Sequence, residues 1–310
     1  MEIKGLPKIS VLVITYNQED LIGRALESIL IQKEYLHEII ISDDCSTDNN
    51  WDVINRYAQQ NPNFVKPFRN KHNLGIFGNM ESLYSKPTGD IVFWLSGDDT
   101  FCDGLFAKAI HLIEKNKIDY KNELFCLYFD YKMLYPDGSS IIYSNKVVTK
   151  GHNLVSLKLR QLISNRTTGY SVNILKNLTP VRKDIVHYTD LLQEIQLQML
   201  TTNNYYCPFV GSIYYAAIGV SVKCSRIENY NSRALMHKEL IHLFNLSKED
   251  RYYLRFMEEQ TLLSISFSIK HAYNTIYYFL KSIDFKLGFE GLQISRIFFV
   301  VKKRWRNNYY

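Results

Sequence analysis

Three apolar runs of strand length, each ending in polar or acidic residues and each followed by a segment of helical periodicity, constrain this chain more than anything else in it. Residues 9–14 form a β-branched run closed by Thr15-Tyr16-Asn17. Ile39-Ile40-Ile41 leads into Ser42-Asp43-Asp44-Cys45-Ser46-Thr47-Asp48, and Ile91-Val92-Phe93-Trp94-Leu95 into Ser96-Gly97-Asp98-Asp99. Uninterrupted apolar runs mark parallel strands buried on both faces. After the first run, Leu21, Ile22, Ala25, Ile29 and Leu30 recur at helical spacing, with Asn17 as N-cap and Asp20 in the first turn. A helix over about residues 50–58 follows the second run, and Asn73-Leu74-Gly75 opens another reaching about Ser85. A weaker strand over residues 64–68 contains Pro67, which cannot donate to a ladder and so places it near an edge. The alternation predicts an α/β fold: a doubly wound, mostly parallel sheet with right-handed crossovers.

Open sheets of this kind bind ligands beyond the carboxyl ends of their strands. Thr15 and Tyr16, Asp43 and Asp44, and Asp98 and Asp99 therefore converge on one rim. Two adjacent carboxylates raise each other's pKa unless a cation faces them. A divalent metal bridging to a diphosphate meets that need; the plainer alternative is a solvated acidic turn. The first strand–helix turn holds no glycine, so neither the G-x-G-x-x-G fingerprint of dinucleotide binding nor a P-loop is present. A chain that cannot cradle phosphate on glycine amides can still hold it through a metal.

Composition narrows the setting. Cys45, Cys102, Cys126, Cys207 and Cys224 are odd in number and widely spaced, which argues against a disulfide framework or structural zinc and fits a reducing cytoplasm. A net charge of +6 is mild, and 46% hydrophobic content over 310 residues suffices for a full core. The first strand begins too early to leave room for a signal peptide, and no apolar run is long enough to span a membrane.

The segment over residues 9–103 resembles the nucleotide-sugar-binding half of the family 2 glycosyltransferases, which have the A-type glycosyltransferase fold. The resemblance rests on four motifs in order: Val11-Leu12-Val13-Ile14-Thr15-Tyr16-Asn17, Ile41-Ser42-Asp43-Asp44-Cys45-Ser46-Thr47-Asp48, Asn73-Leu74-Gly75 with Asn79, and residues 88–99 ending in Ser96-Gly97-Asp98-Asp99. It covers the first third closely and the middle third loosely. It implies that Thr15, Tyr16, Asn73 and Gly75 line the donor pocket, with the Tyr16 ring against uracil, and that Asp44 accepts from the pyrimidine N3–H. A carboxylate suits that donor and disfavours cytosine, whose N3 is an acceptor. The resemblance also sets Asp43 among the donor-binding residues, with capping of the following helix as its alternative. Asp98 and Asp99 match the metal-and-ribose pair, with Asp99 the direct ligand of Mg²⁺ or Mn²⁺. Where the family often has a further acid, this chain has Ser96.

In the middle third, residues 124–131 and 140–143 read as a hairpin around Pro136-Asp137-Gly138, and Arg166-Thr167-Thr168-Gly169-Tyr170-Ser171 resembles the family's small-residue acceptor segment. A helix capped by Thr189 starts at Asp190, with Leu191, Leu192, Ile195 and Met199 as its buried face. The resemblance makes Asp190 the base that deprotonates the acceptor, with Glu194, four residues on, as the alternative; a helix-dipole role for Asp190 stays open. Many relatives carry an Arg and a His after the pair Tyr214-Tyr215, where this chain has Ala216 and Ile218, leaving Lys223 or Arg226 to supply positive charge.

The domain division expected is a glycosyltransferase domain over residues 1–228 (halves 1–103 and 104–228) and a helical, aromatic and basic extension over 229–310. Its last helical piece, Arg296 to Arg306, mixes cations with Trp and Phe and fits an anionic membrane surface; a helix on the core with a basic tail is the alternative. The whole implies an inverting, metal-dependent transfer from a UDP-sugar to a glycan hydroxyl, on a lipid-linked oligosaccharide of O-antigen or capsule synthesis. The enzyme would act at the inner face of the plasma membrane, without nucleic acid, with a homodimer allowed. A non-catalytic glycan-binding scaffold on the same fold and a nucleotidyltransferase are the competing functions.

Overall fold

The computed structural model describes residues 5–146, 156, 159, 166–179, 189–216, 226–266 and 268–283. These form two compact units, one holding residues up to 146, 166–179 and 193–216, the other holding 156, 159, 189–192 and 226–283.

The first unit is built on one mixed sheet. Strands β1 (Ile9–Thr15), β2 (Leu36–Asp43), β3 (Val65–Arg69) and β4 (Ile91–Ser96) are mutually parallel in the order β3-β2-β1-β4. The sheet continues through β8 (Thr168–Ser171), β6 (Phe125–Leu134), β9 (Asn203–Tyr215) and the two-residue β5 (Thr100–Phe101), with β7 (Ser140–Tyr143) paired to β6. The β8 strand runs antiparallel to both neighbours, whereas β9 runs parallel to β6, so the sheet is mostly parallel. Helices α1 (Ile22–Leu30), α2 (Asn50–Gln60), α3 (Gly75–Glu81) and α4 (Leu105–Asn116) connect the strands. Residues Val11, Val13, Ile39, Ile41 and Phe93 from the strands pack with Ile22, Leu26, Ile29 and Phe106 from the helices in one core. The Pro67 strand is the sheet's edge, as its missing N–H requires.

Some local expectations are corrected. Asn17 does not cap α1: its backbone is left-handed (φ 51°), its side-chain oxygen accepts from the Thr47 N–H, and the helix begins at Ile22 without a side-chain cap. The helix after Asn73 ends at Glu81, short of Ser85. In α5 (Thr189–Leu200), Leu192 and Ile195 are buried as expected, but Met199 is exposed and Gln193, Gln196 and Gln198 are inside. Those amides have partners: Gln193 donates to the Tyr84 hydroxyl, Gln196 accepts from the Thr179 N–H, and Gln198 accepts from Tyr128. Buried polar groups are tolerated when so paired.

A fully buried carboxylate, Glu38 on β2, anchors the sheet's opposite end. Burial alone would raise its pKa, but Lys66, Ser10 and the Thr88 amide and hydroxyl all donate to it and hold it at about 2.

The second unit is helical: α6 (Arg226–Leu243), α7 (Lys248–Ile265) and α8 (Ile269–Lys281). Ser247 and Ser268 cap the last two, accepting from the Asp250 and His271 amides at 3.0 Å. Among the described residues no helix is long and apolar enough to cross a membrane. The basic piece from Arg296 to Arg306 lies outside the described residues, as do Cys224, Ile218 and Lys223; Cys45, Cys102, Cys126 and Cys207 are free thiols.

Candidate active site

Pairing in register brings the three strand ends together. Thr15 lies beside Asp43 across β1 and β2, and Ile14 beside Ser96 across β1 and β4. The loops that leave these strands carry the acids onto one rim.

Asp43 is fully buried, and its contacts are those of a brace. Its Oδ2 accepts from the Ser46 N–H at 3.0 Å and lies 3.2 Å from Arg69 Nε, while Oδ1 accepts from Asn50 Nδ2 at 2.6 Å. An ion buried this deeply needs such partners. Asp44 is also buried, but its hydrogen bonds fall on one oxygen: Oδ1 accepts from Asn70 Nδ2 at 2.8 Å and the Leu74 N–H at 2.9 Å. Asn79, buried in α3, accepts from the same Asn70 and donates to the Ser42 carbonyl. The Asn73-Leu74-Gly75 motif thereby orients the Asp44 carboxylate. Asn73 closes its own turn by accepting from the Gly75 N–H, and Gly75 takes a left-handed φ of 75° that a side chain would strain. Thr15 is buried, donating to Gln18 Oε1 at 2.8 Å, and the following Tyr16 ring is exposed on the rim.

The turn after β4 is shaped by contact with β1. A Cβ on Gly97 would sit 2.5 Å from Gln18 Oε1 and 2.8 Å from Thr15 Oγ1, so only glycine fits. The Ser96 hydroxyl donates to Asp98 Oδ1, and the Asp99 N–H returns to the Ser96 carbonyl at 3.0 Å. Asp99 Oδ1 accepts from the Tyr215 N–H at 3.1 Å, and its Oδ2 lies 4.0 Å from Arg166. Burial first, and the Asp98 charge second, push Asp99 up to about 7 against the opposing pull of Tyr215, Arg166 and Arg24. The arginines thus do not offset the burial of Asp99. Two adjacent carboxylates beside a serine hydroxyl form a hard, all-oxygen donor set suited to Mg²⁺ or Mn²⁺ completed by water or phosphate oxygen. Among the described residues no third acid, His or Cys joins the pair.

Two arginines at this rim were not legible as site residues. The Arg24 guanidinium on α1 stacks 3.6 Å over the Tyr215 ring and donates to the Asp98 carbonyl at 2.7 Å. Arg166 stacks 3.7 Å over Tyr214. Both cations reach the rim from elements other than the segment after Tyr215. Arg166 lies two residues before β8, whose Gly169 pairs with Phe93 of β4, and its guanidinium comes within 4.0 Å of Asp99. A strand over Thr168–Ser171 recognised as β4's partner is the signal that would have found it. Gly169 itself is required by packing, since its Cβ would strike the Phe93 ring.

Asp190 lies in the first turn of α5, with its side chain outside the described residues, and Glu194 is half-buried on the same helix. Arg226 opens α6, its side chain likewise not described.

Residues 10–124 match the family model described as Glycosyl transferase family 2. This segment belongs to that family. The family 2 segment is 38% identical over 111 residues to the uncharacterized glycosyltransferase alr2836 of Nostoc sp., covering 36% of this chain and 34% of that protein. It is 31% identical over 110 residues to the UDP-Glc:alpha-D-GlcNAc-diphosphoundecaprenol beta-1,3-glucosyltransferase WfaP of Escherichia coli, covering 36% and 43%. The matches thus span less than half the length of these curated relatives. The crystal structure of Staphylococcus aureus TarS 1-349 in complex with UDP-GlcNAc superposes with a TM-score of 0.59 at 17% identity, covering 90% of this chain and 82% of that one. That likeness establishes a shared architecture, the A-type glycosyltransferase fold, beyond the family 2 segment.

Proposed function

We propose that this chain is an inverting glycosyltransferase that moves a sugar from a UDP-sugar to a hydroxyl of a lipid-linked glycan in surface-polysaccharide synthesis. The observation that carries the reading is the adjacent pair Asp98 and Asp99, on a strand end two strands from Asp44. The base is read by Asp44, whose Oδ1 is fixed by Asn70 and Leu74 so that the carboxylate meets the uracil N3–H, with Tyr16 against the ring. Asp98 and Asp99 would hold Mg²⁺ or Mn²⁺, which when bound stabilises negative charge on the diphosphate. Arg166 adds a fixed cation on the same side, its plane held by Tyr214. Asp190, at the head of α5, takes the acceptor proton, with Glu194 as the second candidate; such base catalysis contributes about 10²–10⁴-fold. A single displacement from the face opposite the diphosphate inverts the anomeric centre.

WfaP is named for a UDP-glucose donor and a diphosphoundecaprenol-linked acceptor, which supports the same donor and acceptor classes here. A lipid-linked acceptor is consistent with an enzyme that works against the inner face of the plasma membrane. The test is release of UDP from a panel of UDP-sugars with Mn²⁺ present or chelated. Metal-dependent hydrolysis supports the reading, and donor binding with no turnover on any acceptor supports the scaffold alternative.

A further inference from the structure

Helix α8 has two apolar faces, and among the described residues only one of them is packed. The inner face lies on α7: Phe279 meets Phe256 at 5.4 Å, Tyr278 stacks on Tyr252 at 6.3 Å, and His271 and Asn274 both bond Glu259. The outer stripe, at the i, i+4, i+7, i+11 spacing of one helix face, is Ile269, Tyr273, Ile276 and Leu280, exposed to 83%, 67%, 60% and 59%. Tyr277 extends it, with its ring 5.2 Å from that of Tyr278. A contiguous exposed apolar stripe is the kind of surface that marks a protein or membrane interaction site.

The occupant follows from the charges. Ile269–Lys281 contains no acidic residue, and Lys270 and Lys281 lie eleven positions apart on one flank of the stripe. Apolar residues on one face, tyrosines at its margin and lysines alongside are what a helix lying in a bilayer interface presents, with the lysine stems along the apolar boundary and the ammonium groups at lipid phosphates. A protein partner surface would have to be both apolar and strongly acidic to match. The chain beyond residue 283 adds six Lys and Arg against two acids. With no membrane-crossing helix among the described residues, α8 can lie on a bilayer without spanning it.

We propose that the outer face of α8 is a docking surface for an anionic membrane, seating Ile269, Tyr273, Ile276 and Leu280 among the lipid chains. This deepens the peripheral placement proposed above, and its readout, vesicle binding, needs neither donor nor acceptor. The full chain is sedimented with vesicles of phosphatidylcholine, alone and mixed with phosphatidylglycerol. Binding should require the anionic lipid and weaken with salt. The variant I276D/L280D should lose about tenfold or more in vesicle affinity, and K270Q/K281Q about fivefold or more, in anionic vesicles only. Circular dichroism and UDP-sugar binding of both variants should match the parent.

A Tyr273→Trp reporter should be quenched by acrylamide in buffer and blue-shift with anionic vesicles. Unchanged vesicle binding by I276D/L280D overturns the proposal. So does a shift from dimer to monomer in that variant at unchanged vesicle affinity, which would assign the face to a second copy. Shielding of the Tyr273→Trp reporter in buffer without lipid also overturns it. If the parent binds vesicles through α8 but binds no UDP-sugar, the sugar-transfer reading falls and this one stands.

Discussion

The backbone amide of Tyr215 donates to Asp99 Oδ1 across 3.1 Å, tying the end of β9 to the acidic turn after β4. The link exists because β5, immediately after Asp99, pairs antiparallel with β9, Thr100 facing Ile213. It fixes one oxygen of Asp99 through a main-chain N–H, which among substitutions of Tyr215 only proline removes.

Asp99→Asn retains that acceptor and loses the charge. UDP-sugar turnover should fall by about 10³-fold or more. The metal-free melting temperature should hold or rise, because a desolvated carboxylate beside Asp98 has been removed. Melting curves and UDP-release rates on the same preparations separate the two effects.

The pH dependence follows from the same group. Burial and Asp98 raise Asp99 in the folded chain to about 7, above its unfolded value, so the folded state binds that proton more tightly. Metal-free stability is therefore highest below about pH 4 for this group and falls as pH rises to about 7. Mn²⁺ should raise the melting temperature more at about pH 8 than at about pH 5, since the cation competes with the proton. Scanning calorimetry with and without Mn²⁺ across that window reads both slopes.

Gly97 has no room for a methyl group against Thr15 and Gln18. Gly97→Ala should cost about 1–3 kcal/mol by overpacking and displace Asp98 and Asp99, weakening Mn²⁺-dependent nucleotide binding and turnover together. Denaturant unfolding and UDP binding on the variant check the two parts.

Arg166→Ala should lower kcat/KM about 10–100-fold, and Arg166→Lys should recover part of it, because charge survives while the stack on Tyr214 does not. Steady-state kinetics over a salt series measures this; an unchanged kcat/KM in the alanine variant would confine Arg166 to packing.

Local periodicity made the parallel half of the sheet legible. Val11, Ile39 and Phe93 sit in strands buried on both sides, which a continuous apolar run encodes directly. The rim acids were legible for the same reason, since a strand's end fixes where its next residues go. What the sequence hid depends on pairings between distant segments. Arg24 reads as a helix surface residue until β9 brings Tyr215 to it, and Arg166 reads as part of an acceptor segment until β8 is known to pair with β4. The buried glutamines of α5 escaped a hydrophobic reading because their partners, Tyr84, Tyr128 and Thr179, come from other elements. Asn17 carries a capping residue's signature, yet its oxygen goes to Thr47, thirty residues on.

The most direct test is a thermal-shift titration of UDP-sugars, GDP-sugars and dTDP-sugars, each with Mn²⁺ and with chelator, on the parent and on D98N/D99N. A ligand at about 100 times its dissociation constant adds about 2.7 kcal/mol to folding stability. The account requires a UDP-sugar shift that needs both Mn²⁺ and the intact acids. An equal shift in chelator, an undiminished shift in D98N/D99N, or stabilisation by GDP- or dTDP-sugars in place of UDP-sugars would contradict it.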